Sequence, residues 1–248
     1  MTVMRAGLRL TGLAIALSAM LVTCSRTAQA VLVTWNTFGN AGTETTEPSV
    51  FVDPGLVGPV NLTLGAGVTP AANGNRFGGS AWFDTGDSSP PTLAQSIAGN
   101  DYIEFIITPA VNFAFTPTSF DFIWDRSATG PDNVTLRSSA DGFAADLGSA
   151  LNMASLSSNS ITITGLTNIA IATTFRLYGW DVASGGTAGA AGTAGFDTGA
   201  NAVNVTLQGF TTAIPEASSF LFGGLACCAA GATLAVRRLR RSANVAAP

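Results

Sequence analysis

Histidine and lysine are both missing from this chain: the histidine count is zero, and all 11 basic residues are arginine. Without histidine there is no Ser-His-Asp triad, no Cys-His dyad, no histidine-bearing zinc site and no imidazole acid–base catalysis. Without lysine there is no Walker-A phosphate loop, no Schiff-base chemistry and no kinase machinery. Cysteine is nearly as scarce, with Cys24 near one end, Cys227 and Cys228 near the other, and none between. An exported domain could form disulfides, so the long middle of this chain must rely on its core alone. Charged residues make up only 10% of the 248 positions, against 47% hydrophobic.

The few charges are unevenly placed. Residues 1–30 carry Arg5, Arg9 and Arg26 and no acid. Residues 214–248 carry Arg237, Arg238, Arg240 and Arg241 against Glu216 alone. The interval 31–213 is left with 4 arginines against 14 acids, a net charge of −10. Such a surface repels phosphate backbones and argues against nucleic acid as a partner.

The first 30 residues read as a secretory signal peptide. Arg5 and Arg9 supply the positive start, residues 10–22 an apolar run too short to span a bilayer, and Ala28-Gln29-Ala30 the small residues that precede cleavage. The expected cut follows Ala30. A rival reading takes Leu21-Val22-Thr23-Cys24 as a lipobox, in which Thr23 stands where Gly, Ala or Ser is usual.

At the other end, residues 218–236 run without a charge and would span about 28 Å as a helix, close to the hydrocarbon thickness of a membrane. The Arg237-Arg238-Leu239-Arg240-Arg241 cluster that follows would stay cytoplasmic by the positive-inside rule. Pro215-Glu216-Ala217 lies just upstream. A plain tail anchor explains the apolar run and the arginines but not the Pro-Glu pair. The whole tail, 214–241, resembles a PEP-CTERM sorting signal, with Ala217 in place of the usual third proline. The resemblance implies a substrate of an exosortase, a membrane-embedded peptidase or transpeptidase of Gram-negative bacteria that make exopolysaccharide and biofilm. Pro215, Glu216, Ala217 and the four arginines would then be sorting-recognition residues. The protein would sit in the inner membrane before processing and at the cell surface or outside the cell afterwards.

Between the two ends, apolar residues alternate with polar ones over short runs at 31–35, 60–64, 102–108, 119–124, 133–138, 160–164, 173–181 and 201–209. Period two with Gly, Asn, Asp, Ser and Pro between runs predicts an all-β, antiparallel β-sandwich over 31–213, with a jelly-roll-like topology and almost no helix. Residues 44–99 read as long loops around one or two strands, and the Gly/Ala-rich 184–200 as a flexible hairpin tip or extended loop. Residues 101–210 also resemble a sandwich module common among PEP-CTERM proteins. The matching landmarks are Tyr102-Ile103-Glu104-Phe105, residues 122–127, residues 137–143, residues 175–180 and the closing run 203–209. This resemblance implies a lectin-like sandwich and no catalytic residues.

Three chemistries remain to be weighed. Asp84 and Asp87 form the densest acidic loop and could hold a structural calcium, the only cofactor indicated; turn-capping by Asp is the plainer explanation. Trp124, Tyr178 and Trp180 could form a glycan-binding platform for exopolysaccharide, although strand aromatics are more often core. Glu104 and Asp121, placed on adjacent strands, could act as the carboxylate pair of a glycan hydrolase. The expectation is a non-enzymatic surface or matrix protein. The alternatives are a passive surface coat without a specific ligand and the carboxylate-dependent hydrolase.

Overall fold

Alternation decides the strands here, and the side that is apolar decides the core. In Tyr102–Ile107 the inward residues Ile103, Phe105 and Ile107 are buried, while Tyr102, Glu104 and Ile106 face out. The computed structural model describes residues 30–154, 156–181, 192–197 and 205–215. Ala30 and Pro215 fall inside these ranges. Ala28, Glu216, Ala217, the apolar run 218–236 and Arg237, Arg238, Arg240 and Arg241 lie outside the described residues. So does most of the glycine-rich 184–200 stretch. Among the described residues no helix is long and apolar enough to cross a membrane.

Among the described residues, thirteen antiparallel strands form two sandwich-like layers around one core. The first layer runs in the order β4 (Thr69–Pro70), β5 (Arg76–Ser80), β12 (Ala194–Asp197), β7 (Phe113–Arg126), β13 (Val205–Ala213), β1 (Ala30–Trp35), with β10 (Ser157–Thr162) also on β7. The second runs β3 (Asn61–Leu64), β6 (Tyr102–Ile107), β11 (Thr173–Trp180), β8 (Asn133–Ser138), β9 (Leu151–Asn152). Strand β2 (Thr46–Val52) joins the layers at one corner. Its later half pairs with β1, and its first half, Thr46 to Pro48, pairs with β3. Stacked rings fill the space between: Phe105 lies 5.1 Å from Phe175 and 5.2 Å from Phe120, and Trp35 packs 5.2 Å from Phe105. Such pairs each add about 0.5–1.5 kcal/mol beyond their buried area.

Three expectations change. The 44–99 stretch holds β2, β3, β4, β5 and a short helix, more than the loops with one or two strands read from its Gly, Pro and Asn content. The glycines of 184–200 do not all belong to a loop, because β12 is an interior strand between β5 and β7. Gly195 pairs with Gly78, and a Cβ on Gly195 would lie 2.5 Å from Phe77 O and 2.7 Å from Gly78 Cα. Glycine permits that close approach of backbones. Strand β7 also extends well before the expected start at 119 and contains Pro117. The opposing β13 shifts register at Gly209, whose φ is 155° and whose Cβ would meet Leu32 Cδ1 at 2.7 Å. This bulge accommodates a strand residue that has no N–H to donate.

The helix α1 (Leu93–Gly99) is only seven residues long, too short to show a periodic face. Its start is marked by a capping box: Thr92 accepts from the Gln95 N–H, and the Gln95 side chain accepts from the Thr92 N–H at 2.9 Å. It ends at Asn100, left-handed at φ 62°, and the Asp101 N–H then reaches back to Ser96 O at 2.9 Å. That turn carries Asp101 into the interior just before β6.

Candidate functional site

Two places on the sandwich gather chemistry, and both depend on β6. The first is the outer face of the second layer. Glu104, facing out from β6, accepts a 2.6 Å hydrogen bond from Arg176 Nε on β11, the residue it pairs with in register. The Arg176 guanidinium carbon lies 4.3 Å from the centre of the Tyr102 ring and 4.2 Å from that of Phe143. Burial works to lower the Arg176 pKa, but hydrogen bonds with Glu104 and Tyr178 and the charge of nearby groups raise it overall. Phe143 holds a left-handed backbone at φ 63°, unusual for a bulky residue, and its carbonyl accepts from Arg137 Nη1 at 3.0 Å. Three landmarks quoted from the sequence (102–105, 137–143 and 175–180) thus meet around one arginine. Beside this cluster lies an open groove of about 410 Å³, bordered by Val57, Asn61, Thr63, Glu104 and Ile106.

The second place is the corner after α1. The Asp101 side chain is fully buried, and neither of its carboxylate oxygens has a hydrogen-bond partner. Burial, then the charges of Asp84 and Asp87, push its pKa up to about 8. A point one Cβ bond from Gly99 lies 2.6 Å from Asp101 Oδ2 and 3.0 Å from Asp84 Oδ2. A Cβ on Gly67 would fall on Asp101 Oδ1, 2.5 Å from the Gly99 carbonyl. Asp87 turns toward its own loop, accepting from the Asp84 N–H at 2.8 Å. Among the described residues, no three His, Cys, Asp or Glu side chains converge tightly enough to hold a metal by themselves.

The residues expected to form a glycan platform fall elsewhere. Trp124 is fully buried among Trp82, Phe122 and Phe196, so its faces are not open to a sugar. Tyr178 packs edge-on against Tyr102 at 5.4 Å, and α1 fastens to β11 through Ser96 Oγ, which donates to Gly179 O at 2.6 Å. Tyr178 is 1% and Trp180 9% exposed, so the platform is corrected: these rings serve packing. The carboxylate pair is corrected as well. Glu104 lies on β6 in one layer and Asp121 on β7 in the other, each facing away from the shared core, so they cannot flank one glycosidic bond. Asp84 and Asp87 do share a loop as read, and Asp101 behind them was missed. The Thr92 to Gln95 capping box was the available signal, since a helix ending at Gly99-Asn100 must turn the next residue sharply.

Compared with family models, curated proteins and solved structures, the chain matches none.

Proposed function

We propose that this is an exported, non-enzymatic protein of the cell surface or extracellular matrix, sorted by an exosortase and associated with exopolysaccharide. In this reading its sandwich is wound as a jelly roll, and residues 218–236 hold it in the inner membrane until cleavage near Pro215-Glu216. The observation that carries the reading is the fit of the folded domain between the two processing motifs. Strand β1 begins at Ala30 and β13 ends at Ala213, after which the Ile214 N–H donates to Asn112 O at 2.7 Å. Cleavage after Ala30 removes one strand residue, the partner of Gly209, and cleavage beyond Pro215 removes none of the described strands. Mass spectrometry of protein recovered from the surface of the producing cells tests it. The expected product begins at Val31 and lacks the tail after the Pro215-Glu216 region. An intact C-terminus on surface protein contradicts the sorting and leaves a tail-anchored protein.

The groove between β3 and β6 favours exopolysaccharide over an inert coat. Ile106 and Val57, each about half exposed, offer an apolar floor to a sugar's C–H face, with Asn61, Thr63 and Glu104 at the polar edge. Retention on immobilised exopolysaccharide should be lost in Ile106→Glu. Retention unchanged by that substitution rejects the groove, and a wild-type protein retained on no glycan supports the passive coat.

A further inference from the structure

Buried carboxylates are normally matched by donors or cations, because an ionised group without either is among the costliest things a protein can bury. Asp101 breaks that rule, with both oxygens sealed from water and neither one hydrogen-bonded. What surrounds it makes the deficit worse. Asp84 Oδ2 shares the space beside Gly99 with Asp101 Oδ2, and the Gly99 carbonyl and Asp101 Oδ1 both crowd the Cβ position of Gly67, so the groups gathered here are acceptors. Asp84 is exposed and Asp87 half-buried, so the loop that faces Asp101 lies at the surface. Glycines at 67 and 99 let the Asp101 carboxylate approach the backbone this closely, since a Cβ on either would collide with it.

We propose that the corner between α1 and the Asp84–Asp87 loop is a binding site for a hard divalent cation of calcium's size, with Asp101 as its buried anchor. Asp84 supplies the second carboxylate, and the Gly99 carbonyl and waters the neutral oxygens. Calcium takes six to eight oxygens and accepts carbonyls and water freely, so two carboxylates suffice to start the shell. Asp87 orients the loop through the Asp84 N–H and adds negative charge. The cation ties the 83–87 loop to the start of β6, which borders the groove. This inference stands apart from the proposed function, since a cation site is compatible with a polysaccharide binder and with an inert coat.

The test is thermal unfolding of the full-length chain in chelator, in calcium chloride and in sodium chloride of equal ionic strength, with titration calorimetry in calcium. Calcium at a hundredfold excess over its Kd should raise the wild-type Tm by about 5 °C or more. Sodium chloride should not. In Asp101→Asn the calcium shift should vanish, while the Tm in chelator does not fall below that of the wild type, because the carboxyl group has no hydrogen-bond partner to lose. Asp84→Asn, an exposed position that does not threaten folding, should weaken calcium binding at least tenfold. Calcium heats and Tm shifts unchanged in both variants would overturn the proposal. So would a wild-type Tm that calcium does not move, or one that falls as pH rises through 8 identically with and without calcium, since a proton would then be what neutralises Asp101.

Discussion

Two corners of this sandwich bury carboxylates, and they do so in opposite ways. Where β5, β12 and β7 meet, Arg76 stands between Asp125 and Asp197, ion-paired with Asp125 and 3.5 Å from Asp197 through Nε. All three side chains are at least 85% buried, and the pairing follows the register, in which Asp197 lies opposite Arg76. At the α1–β6 corner Asp101 is buried more completely and meets no cation and no donor. The first corner draws its counter-charge from within the chain, one guanidinium set between two carboxylates. The second is complete only with something from outside. Between these extremes sits Glu47 on β2, buried against a neutral partner, with Asn40 Nδ2 donating to it at 2.7 Å.

Breaking the first corner should give the largest effect. Arg76→Met leaves two buried carboxylates without their counter-charge and should cost about 3–5 kcal/mol. Urea unfolding measures it, and calcium should not restore the loss. If calcium does restore it, the two corners are not different in kind.

Adding one methyl to a glycine in each corner sharpens the contrast. In Gly195→Ala the new Cβ meets backbone, Phe77 O and Gly78 Cα, which cannot swing aside, so about 1–3 kcal/mol of stability should be lost. In Gly99→Ala the nearest atoms to the new Cβ belong to two carboxylate side chains, Asp101 Oδ2 at 2.6 Å and Asp84 Oδ2 at 3.0 Å. Unfolding in chelator should change by less than it does in Gly195→Ala, whereas the calcium-dependent rise in Tm should disappear. Equal losses in chelator would remove the distinction.

The smallest effect belongs to Glu47. Burial first, then the charge of Glu44, raises its pKa, and the Asn40 hydrogen bond only partly offsets this. A carboxylate whose folded pKa is raised binds its proton more tightly in the folded state. Its contribution to stability is therefore full below its unfolded pKa of about 4.3 and is lost as pH rises through the folded value. Glu47→Gln should flatten that part of the stability-against-pH curve. A steeper curve in the variant would reverse the sign of this argument.

How much of this could be read in advance depended on whether the information was local. The strands β6, β8 and β11 were legible because alternation alone separates Ile103, Phe105 and Ile107, or Val134 and Leu136, from their outward neighbours. Strand β12 was not, because Ala194 to Asp197 carries too little apolar periodicity, and its place is set by Gly78 across the sheet, more than a hundred residues away. Trp180 and Tyr178 were legible as strand aromatics but not as buried ones, since nothing nearby in sequence shows that α1 fastens onto their strand. The acidic loop at Asp84 and Asp87 was visible as a cluster. Its meaning rests on Asp101, whose burial comes from a left-handed turn at Asn100 and from Gly67, brought in from another loop. The groove beside Glu104 was likewise unreadable, being assembled from β3, β6 and the 57–59 segment.

The most direct test of the difference between the two corners is a crystal structure of the protein grown in calcium, with anomalous data collected to identify the ion. The account predicts a calcium peak about 2.3–2.6 Å from carboxylate oxygens of both Asp101 and Asp84, and no ion at Asp125 and Asp197, where Arg76 already supplies the charge. An Asp101 carboxyl that meets only protein atoms or water at saturating calcium would contradict it.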